Sequence, residues 1–301
     1  MSRERGYSIK GLRDSVRFVS QIRGGRNIND ENIALILDKF VPYEKSKSKF
    51  EKGKFDYSKV LGEKKCFEIP EEVKRRINRR IRLNGFRVVE WEGELEGGLI
   101  IGMGAPHVHE TALSFHKPWG VPYIPGTALK GLLRTYYIEK ALQRIEGYAP
   151  SCMDAFLSGE PHPRDVEHGE GQCPVWQSQG RLVDEVNAFR RIFGTKEGRG
   201  GVIFMDAFPS GGSFCLEMDL MSVHYMDYYT GRGDVPPADW SSPVIIGFMK
   251  VVDTKFRGLI ISDVLDESQL NAIKVNIKEA LSLYGIGAKT SVGYGVIKVI
   301  E

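Results

Sequence analysis

Apolar residues recur at two spacings along this chain, and together they predict a domain that mixes helices with strands. Helical spacing is clearest in residues 127–145 and 267–284, where apolar side chains return every three or four positions. Alternating or continuous apolar runs predict strands over the following ranges: 86–91, 99–103, 201–208, 214–221, 244–251, 256–261 and 292–300. After residue 86 the order is therefore strand, helix, two or more strands, helix, strand.

That order is the βαββαβ order of a ferredoxin-like, or RNA-recognition-motif-like, α+β domain. Such a domain places both helices on one face of an antiparallel sheet, which leaves the other face and the connecting loops free to bind a ligand. Many functions share this fold, so the order alone does not identify one.

The domain organisation is expected to have two parts. Residues 1–85 form a basic, mostly helical N-terminal extension, with helices near 30–40 and 70–82. Asn29 or Asp30 is a plausible N-cap of the first helix. The second ends in an arginine cluster: Arg75, Arg76, Arg79, Arg80 and Arg82. Residues 86–301 form the α+β domain, interrupted by an irregular insertion at about 147–190 that is rich in Gly, Pro, Glu and His.

Composition narrows the class of protein. The chain has 301 residues and 42% hydrophobic residues, enough for a substantial core. No apolar run is long enough to cross a bilayer, and the charged start of the chain does not resemble a secretion signal, so a cytoplasmic location is expected. The four cysteines are widely separated and form no CxxC pair, which favours unpaired thiols over disulfides or a zinc site: Cys66, Cys152, Cys173 and Cys215.

The net charge of +3 conceals an asymmetry between the two parts of the chain. Residues 1–90 hold 23 Lys and Arg against 13 Asp and Glu, a balance of +10. The remaining residues hold 19 and 26, a balance of −7. A basic segment suits binding to a polyanion, but it also suits a solvated surface or a docking surface for an acidic protein.

The most distinctive motif is GIGAKTSVGYG, residues 285–295. Its glycines allow the backbone to approach another group closely. Lys289, Thr290 and Tyr294 add a cation, a hydroxyl and an aromatic ring, which suits a backbone cradle for phosphates. Gly285 is also a natural C′ residue for the preceding helix. The alternative is a loop that only reverses the chain, and the motif matches no nucleotide-binding fingerprint.

A second candidate site lies in residues 120–134. Thr127 is predicted as the N-cap of a helix, whose open N–H groups would attract an anion. Lys130 and Arg134 are four residues apart and share a helical face, so they could hold two successive phosphates. Equally, both could be ordinary surface cations beside Gly131, which would allow close packing of the helix on the sheet.

Catalytic or metal chemistry has little support in the sequence. The pattern His107-Val-His109-Glu110, with His116 nearby, matches no metal signature, and ordinary loop histidines are the simpler interpretation. The same holds for His162, His168 and Cys173. No nucleophile motif is present. The carboxylates of Asp206, Asp219 and Asp227 are isolated in sequence and suit caps or surface charges better than a metal site. No cofactor is expected.

One aromatic stretch could also contact nucleic acid. Residues 224–233 place His224, Tyr225 and two further tyrosines beside Arg232 and glycines. Aromatic rings next to arginine suit stacking on unpaired bases. The same composition fits two alternatives equally well, an ordered loop packed on its own aromatic rings or a protein–protein contact.

Several of these segments resemble one family. PYIPGTALKGLLR (122–134), the stretch from Phe193 through Arg199 to Asp206, and GIGAKTSVGYG resemble three motifs of the RAMP proteins of CRISPR systems. Residues 221–243 and 109–116 are similar to the sixth-subunit family of the type III-B Cmr effector complex. The resemblance covers residues from about 97 to the end of the chain, and residues 1–85 carry no motif of the family.

The resemblance implies a ferredoxin-like RAMP domain and a non-catalytic role. Members of this family cap the assembly near the 3′ end of the CRISPR RNA. Their partners are the backbone RAMP subunit, the small helical subunit and the other cap RAMP subunit. Carried over by position, the candidate residues for RNA contact are Lys130, Arg134, Thr127, Arg199, Gly285, Gly287, Lys289, Thr290, Tyr294, His224 and Tyr225.

Two other hypotheses remain open from the sequence. One is a RAMP endoribonuclease that processes precursor CRISPR RNA, with His109, His116 or His224 as acid or base, although no histidine pair is convincingly placed for it. The other is a scaffold whose loops bind only protein, which would show no salt-dependent affinity for RNA.

Overall fold

The structure is a computed structural model that describes residues 33–34, 43–46, 49–52, 63–79, 85–105, 111–144, 150–159, 180, 182–231, 236–237, 240 and 242–300. Its strands are β1 (Tyr43–Ser46), β2 (Lys49–Lys52), β3 (Lys64–Glu68), β4 (Arg87–Glu96), β5 (Phe115–His116), β6 (Val121–Pro122), β7 (Val202–Phe204), β8 (Phe208–Pro209), β9 (Ser213–Val223), β10 (Val244–Val252), β11 (Lys255–Ser262) and β12 (Val296–Val299). Its helices are α1 (Glu71–Ile77), α2 (Gly126–Leu142), α3 (Pro150–Leu157), α4 (Val183–Phe193), α5 (Met226–Thr230) and α6 (Glu267–Leu283).

An antiparallel sheet forms the centre of the domain, in the order β12-β4-β11-β7 with β8 also paired to β11. Buried and partly exposed residues alternate along β4, as expected for a strand with one face on the core. Trp91 and Ile260 are almost fully buried and belong to the core cluster. Helix α6 packs against β4 and β12, and α2 packs against α6 and β7. The core therefore lies between this sheet and these two helices.

A second antiparallel sheet, β10-β9-β3, extends from the first. Strands β9 and β10 form a long hairpin whose register runs from Val223 opposite Val244 to Cys215 opposite Val252. Strand β10 leads directly into β11 through a turn at Asp253, where φ is 45°. Strand β3 adds the N-terminal part of the chain to β9.

The prediction of a mixed helix and strand domain with an antiparallel sheet is confirmed. Helices α2 and α6 and strands β4, β9, β10 and β11 lie where the apolar spacing predicts them. Helix α6 begins with a capping box between Asp266 and Gln269, and Gly285 follows it with a φ of 68°.

Three strand predictions are wrong in detail. The strand predicted at 292–300 is shorter, since β12 spans Val296–Val299 and Val292 ends a 3₁₀ turn. Residues 99–103 form no strand and share only one β-bridge, from Leu99 to Val251. Their apolar run reflects burial, because Leu99, Ile100 and Ile101 all lie in the core. Residues 201–208 form the two short strands β7 and β8 instead of one. The section expected to be irregular contains α3 and α4, whose apolar faces contribute Met153 and Phe189 to the core.

Much of the predicted N-terminal extension lies outside the described residues. This applies to Asn29, Asp30, Arg80 and Arg82, and to all of the 30–40 helix except residues 33 and 34, which are helical and buried. The predicted helix at 70–82 is present as α1 and is shorter. Within the described ranges, no helix combines the length and apolar character that a bilayer-spanning segment needs.

The expectation of unpaired thiols is wrong for the described cysteines. Cys66 and Cys215 lie directly opposite each other on β3 and β9 and form a disulfide. Cys152 is disulfide-bonded as well. Cys66 and Cys215 are 149 positions apart in the sequence, and nothing in the local sequence indicates that β3 joins β9, so the sequence does not predict this pairing.

Loss of the Cys66–Cys215 bridge is expected to destabilise the protein. A disulfide that closes a loop this long restricts the unfolded chain, and removal of such bridges typically costs about 2–5 kcal/mol. We therefore expect Cys66→Ser to lower the free energy of unfolding by that amount in urea denaturation under non-reducing conditions. Glu68→Ser, on the same exposed edge of β3, is the control and should change it by less than about 0.5 kcal/mol. Equal effects of the two variants would contradict the structural role of the bridge.

Candidate nucleic-acid interface

The glycine-rich loop, residues 285–295, is closed by backbone hydrogen bonds. Ile286 donates to the carbonyl of Gly295 at 2.8 Å, which joins the two ends of the loop. Two further bonds tie the loop to the segment that follows β4: Gly295 N–H donates to Gly98 O at 2.7 Å, and Ala288 N–H donates to Ile100 O at 2.8 Å. The loop is therefore a fixed structure and does more than reverse the chain.

Two of its glycines are required by close backbone contacts. A Cβ atom at Gly287, where φ is 99°, would lie 2.3 Å from the carbonyl oxygen of Ile100. At Gly295, where φ is 76°, it would lie 1.9 Å from the oxygen of Ile286. The close approach that the sequence predicts is therefore present, and the group approached is the protein's own backbone.

The tip of the loop presents polar groups. Lys289 adopts a left-handed conformation with φ of 60° and is followed by a 3₁₀ turn at Thr290–Val292. Its Nζ lies 5.2 Å from the centre of the Phe248 ring, which places a cation over an aromatic face. Thr290 is partly exposed and Ser291 is exposed. The cation and hydroxyls predicted for a phosphate cradle thus sit at the surface of a rigid loop.

Tyr294 connects the loop to the β9–β10 hairpin. Its hydroxyl donates to Oδ2 of Asp219 at 2.6 Å. Lys250 Nζ lies 2.8 Å from the same carboxylate and 3.0 Å from that of Glu217. The isolation of Asp219 in the sequence predicts a cap or a surface charge. In the structure Asp219 is neither, because Tyr294 and Lys250 both contact its carboxylate. Asp219 is 75 positions from Tyr294 and 31 from Lys250 in the sequence, so no local motif could reveal this cluster.

The electrostatics of this cluster favour the charged form of Asp219. Partial burial opposes ionisation, but hydrogen bonds from Lys250, Tyr294 and the backbone N–H of Leu220 outweigh it and lower the pKa of Asp219 to about 2. The pKa of Lys250 is raised despite its own partial burial, because both carboxylates accept hydrogen bonds from it. At neutral pH the cluster thus holds one ammonium between two carboxylates.

The cations of the second candidate site already have partners within the protein. Arg134 forms an ion pair with Asp154 at 2.5 Å and donates to Ser158 Oγ at 2.8 Å, and its guanidinium lies 5.4 Å from the Phe189 ring centre. Lys130 Nζ lies 3.4 Å from the carbonyl oxygen of Phe193. These bonds fasten α3 and α4 to α2.

Thr127 is not the N-cap of this helix. Helix α2 begins one residue earlier, with Pro125 at the cap position, and Thr127 is an exposed residue in its first turn. The cap is supplied from a distance, since Oδ1 of Asp206 accepts a hydrogen bond from the Gly126 N–H at 2.7 Å. The capping role expected for Asp206 is confirmed, and its carboxylate occupies the position at which an anion was expected to bind.

The remaining candidates lie elsewhere on the surface. Arg199 is bridged through its backbone to Gly194 and pairs with Asp263 at 3.2 Å, while its side chain remains 78% exposed. His224 is exposed immediately after β9, and its ring centre is 6.3 Å from that of Tyr225. These contacts thus place the candidates in three separate regions: the glycine loop on β9–β10, the α2–α4 region, and the far end of the hairpin.

The structure offers no metal cluster within the described ranges: no group of three or more His, Cys, Asp or Glu side chains is placed to hold an ion. His107, His109, Glu110, His162, His168 and Cys173 lie outside those ranges. His116 packs in an aromatic cluster with Trp119, at 4.2 Å between ring centres in a tilted arrangement, and with Phe208, at 5.4 Å edge-on. Burial lowers the pKa of His116, and the nearby charge of Asp206 opposes that shift.

The part of the chain that forms the central sheet, the core helices and the glycine loop matches a known protein family in sequence. A sequence profile of the RAMP superfamily matches residues 93–298. The chain belongs to the RAMP superfamily. That match begins within β4 and ends within β12, so it spans the central sheet, both core helices and the glycine loop.

Individual proteins are also similar to the chain. This RAMP protein is 33% identical over 234 residues to the CRISPR system Cmr subunit Cmr6 of Pyrococcus furiosus, an alignment that covers 71% of this chain and 68% of that protein. A crystal structure of Cmr6 from Pyrococcus furiosus matches with 30% identity and a TM-score of 0.43, over 72% of this chain and 99% of the other. A cryo-EM structure of the type III-B Cmr-beta bound to cognate target RNA matches with 20% identity and a TM-score of 0.48, over 76% and 70%.

The RAMP glycine loop should tolerate a side chain at one position and not at another. Gly287→Ala places a methyl group against the Ile100 carbonyl, and we expect it to lower the free energy of unfolding by about 2–5 kcal/mol. Gly293→Ala is the matched control, since Gly293 also has a positive φ, 92°, but faces open space. It should cost only about 1–2 kcal/mol. Thermal and urea denaturation measure both, and equal losses would show that the contact with Ile100 does not constrain the loop.

Asp219→Asn should reveal the ionic anchor of the loop through its pH dependence. At pH 7 we expect the variant to be less stable by about 1–3 kcal/mol, because hydrogen bonds to a charged group are lost. The pKa of Asp219 in the folded protein is about 2, below its usual value of 3.8, so its stabilisation is complete above pH 4. It is lost as the pH falls from about 4 to 2, and the variant should converge on the wild type there.

Urea unfolding at a series of pH values measures this difference. Asp227→Asn, an exposed carboxylate in the first turn of α5, is the control and should differ from the wild type by less than about 0.5 kcal/mol at pH 7. A stability gap for Asp219→Asn that persists unchanged down to pH 2 would refute the ionic anchor.

Proposed function

We propose that this RAMP protein is a non-catalytic, CRISPR RNA-binding structural subunit of a type III-B Cmr effector complex. The observation that carries the proposal is its 33% identity, over most of both chains, to a Cmr6 subunit. In this proposal the protein caps the assembly near the 3′ end of the guide RNA, and another subunit cuts the target RNA. The complex would serve RNA-guided defence against foreign nucleic acid.

The geometry of the glycine loop supports the RNA-binding part of this proposal. A phosphate-binding loop works best when its donors are held in place before the ligand arrives, because less ordering free energy is then lost on binding. Backbone bonds to Gly98 and Ile100 fix this loop, and Lys289, Thr290 and Ser291 form its surface. We propose Lys289 and Thr290 as contacts to the RNA backbone.

Exposed apolar residues at the far end of the β9–β10 hairpin support contacts with other subunits. Leu220 and Ile245 are each 66% exposed, Tyr229 is 67% exposed and Trp240 is 89% exposed. Large apolar patches on a soluble domain commonly mark protein interfaces. We propose that the partners are the backbone RAMP subunit, the small helical subunit and the other cap RAMP subunit, with His224 and Tyr225 at the margin of this surface.

We also propose that the domain is of the ferredoxin-like type. The strands β4, β7, β11 and β12, numbered one to four in chain order, lie in the order 4-1-3-2 and are all antiparallel. Helix α2 connects the first and second of them and α6 connects the third and fourth, which is the βαββαβ arrangement. On this interpretation the β9–β10 hairpin is an insertion.

Among the residues that the structure describes, the two candidate histidines have different contacts, which supports a structural role over RNA cleavage. His116 is packed among aromatic rings beside β8, whereas His224 is exposed at the end of β9. General acid–base cleavage needs two groups that reach the same scissile phosphate. His116 contacts Trp119 and Phe208, whereas His224 contacts Tyr225, so these contacts do not join the two histidines in one acid–base pair.

Removal of the loop cation should weaken RNA binding in a salt-dependent way. We expect Lys289→Ala to reduce the affinity of the full chain for single-stranded guide-length RNA. Each lost phosphate contact should lower the slope of log affinity against log salt concentration by about 0.7. Lys298→Ala, an exposed lysine on β12, is the matched control and should leave the slope unchanged.

Arg134→Ala is expected to behave differently, because its guanidinium already pairs with Asp154. It should reduce thermal stability and leave the salt slope close to that of the wild type. Fluorescence anisotropy at several salt concentrations measures both effects. An unchanged slope in Lys289→Ala would remove the glycine loop from the RNA site.

A further inference from the structure

A groove on the side of the central sheet opposite the core helices combines aromatic rings, arginines and carboxylates. It has a volume of about 240 Å³. Its lining includes Arg76 near the end of α1 and Arg79 just after that helix, together with residues of the sheet and its loops: Trp119 from the β5–β6 turn, Asp206 and Phe208 around β8, and Arg257 on β11. Met205 and Asp206 belong to the second RAMP-like segment, but none of the candidate RNA-contact residues named above lines the groove, and the role proposed above makes no use of it.

The groove faces away from the core because of strand alternation. On β11, Arg257 and Leu259 are partly exposed while their neighbours Phe256, Gly258 and Ile260 are buried. Helix α1 lies across this face, since Asn78 Oδ1 accepts a hydrogen bond from Arg257 at 3.3 Å. The groove is therefore a space between the open face of the sheet and the N-terminal part of the chain.

One wall of the groove is aromatic and held in place. Phe208 contacts Trp119 at 4.9 Å between ring centres, and His116 lies against both rings, 4.2 Å from Trp119. Tyr123 stacks on Phe208 at 6.1 Å between ring centres. Trp119 is only partly buried, so part of its ring remains available to a ligand. A fixed, half-exposed indole is a suitable surface for a planar ring system.

The charges divide the groove into two zones. At the rim, Arg79 is exposed, and Arg76, 61% exposed, pairs with Glu72 of its own helix at 2.7 Å. Deeper in the groove, Arg257 is neutralised by an ion pair with Glu90, and Asp206 contributes a second carboxylate. A phosphate is thus favoured at the rim and disfavoured in the interior, whereas the interior favours a group that donates hydrogen bonds.

We propose that this groove binds one unpaired nucleotide, with its base against Trp119 and its phosphate at Arg76 and Arg79. A volume of about 240 Å³ is below the roughly 300–1,000 Å³ of pockets for drug-sized ligands, which suits a single base. Asp206 uses Oδ1 to cap α2 and, as a carboxylate, has further acceptor capacity for an amino group. Adenine, cytosine and guanine carry such a group, whereas the donor of uracil is its ring N3–H, which lies between two carbonyl oxygens that a carboxylate repels. The site should therefore disfavour uracil.

The nucleotide can belong to an RNA strand or be free. The first case deepens the RNA-binding role proposed above and rests on it, and the second does not. The test therefore uses the full chain with two kinds of probe, short oligoadenylate or oligouridylate RNA and adenosine monophosphate. Variants are Trp119→Ala, Arg79→Gln and the conservative Trp119→Phe, with Arg75→Gln as the control, since Arg75 is exposed on the same helix but does not line the groove.

We expect Trp119→Ala to weaken oligoadenylate binding by about 5- to 150-fold, the range that corresponds to loss of one stacked base. Trp119→Phe should retain most of the affinity, which separates stacking from misfolding. Arg79→Gln should lower the salt slope by about 0.7, and Arg75→Gln should not change it. Asp206→Asn, which preserves a capping oxygen, should abolish the preference for oligoadenylate over oligouridylate.

The outcomes separate this proposal from the function proposed above. If adenosine monophosphate binds and depends on Trp119 while RNA does not bind, the groove is a site for free nucleotides and the RNA-binding role fails. If Lys289→Ala weakens RNA binding but the Trp119 and Arg79 variants match the wild type with both probes, the groove proposal is overturned and the RNA-binding role stands. Loss of co-purifying proteins in the Trp119→Ala variant, with both affinities unchanged, would identify a protein contact and also overturn it.

Discussion

The closure of the glycine loop onto the backbone that follows β4 is the interaction on which the rest of the site depends. The hydrogen bonds from Gly295 to Gly98 and from Ala288 to Ile100 hold the loop between α6 and β12 against residues 98–100, the segment that follows β4. Leu99 of that segment pairs with Val251 of β10, so the segment also connects the central sheet to the second sheet. Only glycine fits at Gly287 and Gly295, because the backbones lie within contact distance there.

Ionic contacts then fix the loop against the hairpin. Asp219 accepts hydrogen bonds from both Tyr294 and Lys250, so the aromatic ring of the loop is held by a charged group of β9. Lys289 stays at the surface over the ring of Phe248. In the α2–α4 region the cations serve a different purpose, since Arg134 and Lys130 fasten neighbouring helices. The cations of the two regions therefore differ in their partners: Arg134 and Lys130 bind polar groups of neighbouring helices, whereas Lys289 lies over an aromatic ring.

The sequence predicts those parts of the structure that depend on local patterns. The spacing of Leu270, Ile273 and Ile277 is sufficient to place α6, and the alternation along β4 is sufficient to place that strand. Features that require distant residues to meet were missed or misassigned. Thr127 was the best local candidate for a cap, but Asp206 caps α2 from 80 residues away. The Cys66–Cys215 bridge, the partners of Arg134 and the anchor of Tyr294 all depend on such long-range contacts, for which a single sequence holds no signal.

The most direct test of the central claim is to tag this chain in its native cell, purify it gently and identify the proteins and RNA that accompany it. The account predicts Cmr subunits together with short RNAs that share a common repeat-derived 5′ end. Recovery of the chain alone, or with long precursor RNA only, would contradict a structural role in a type III-B effector and would favour a processing nuclease.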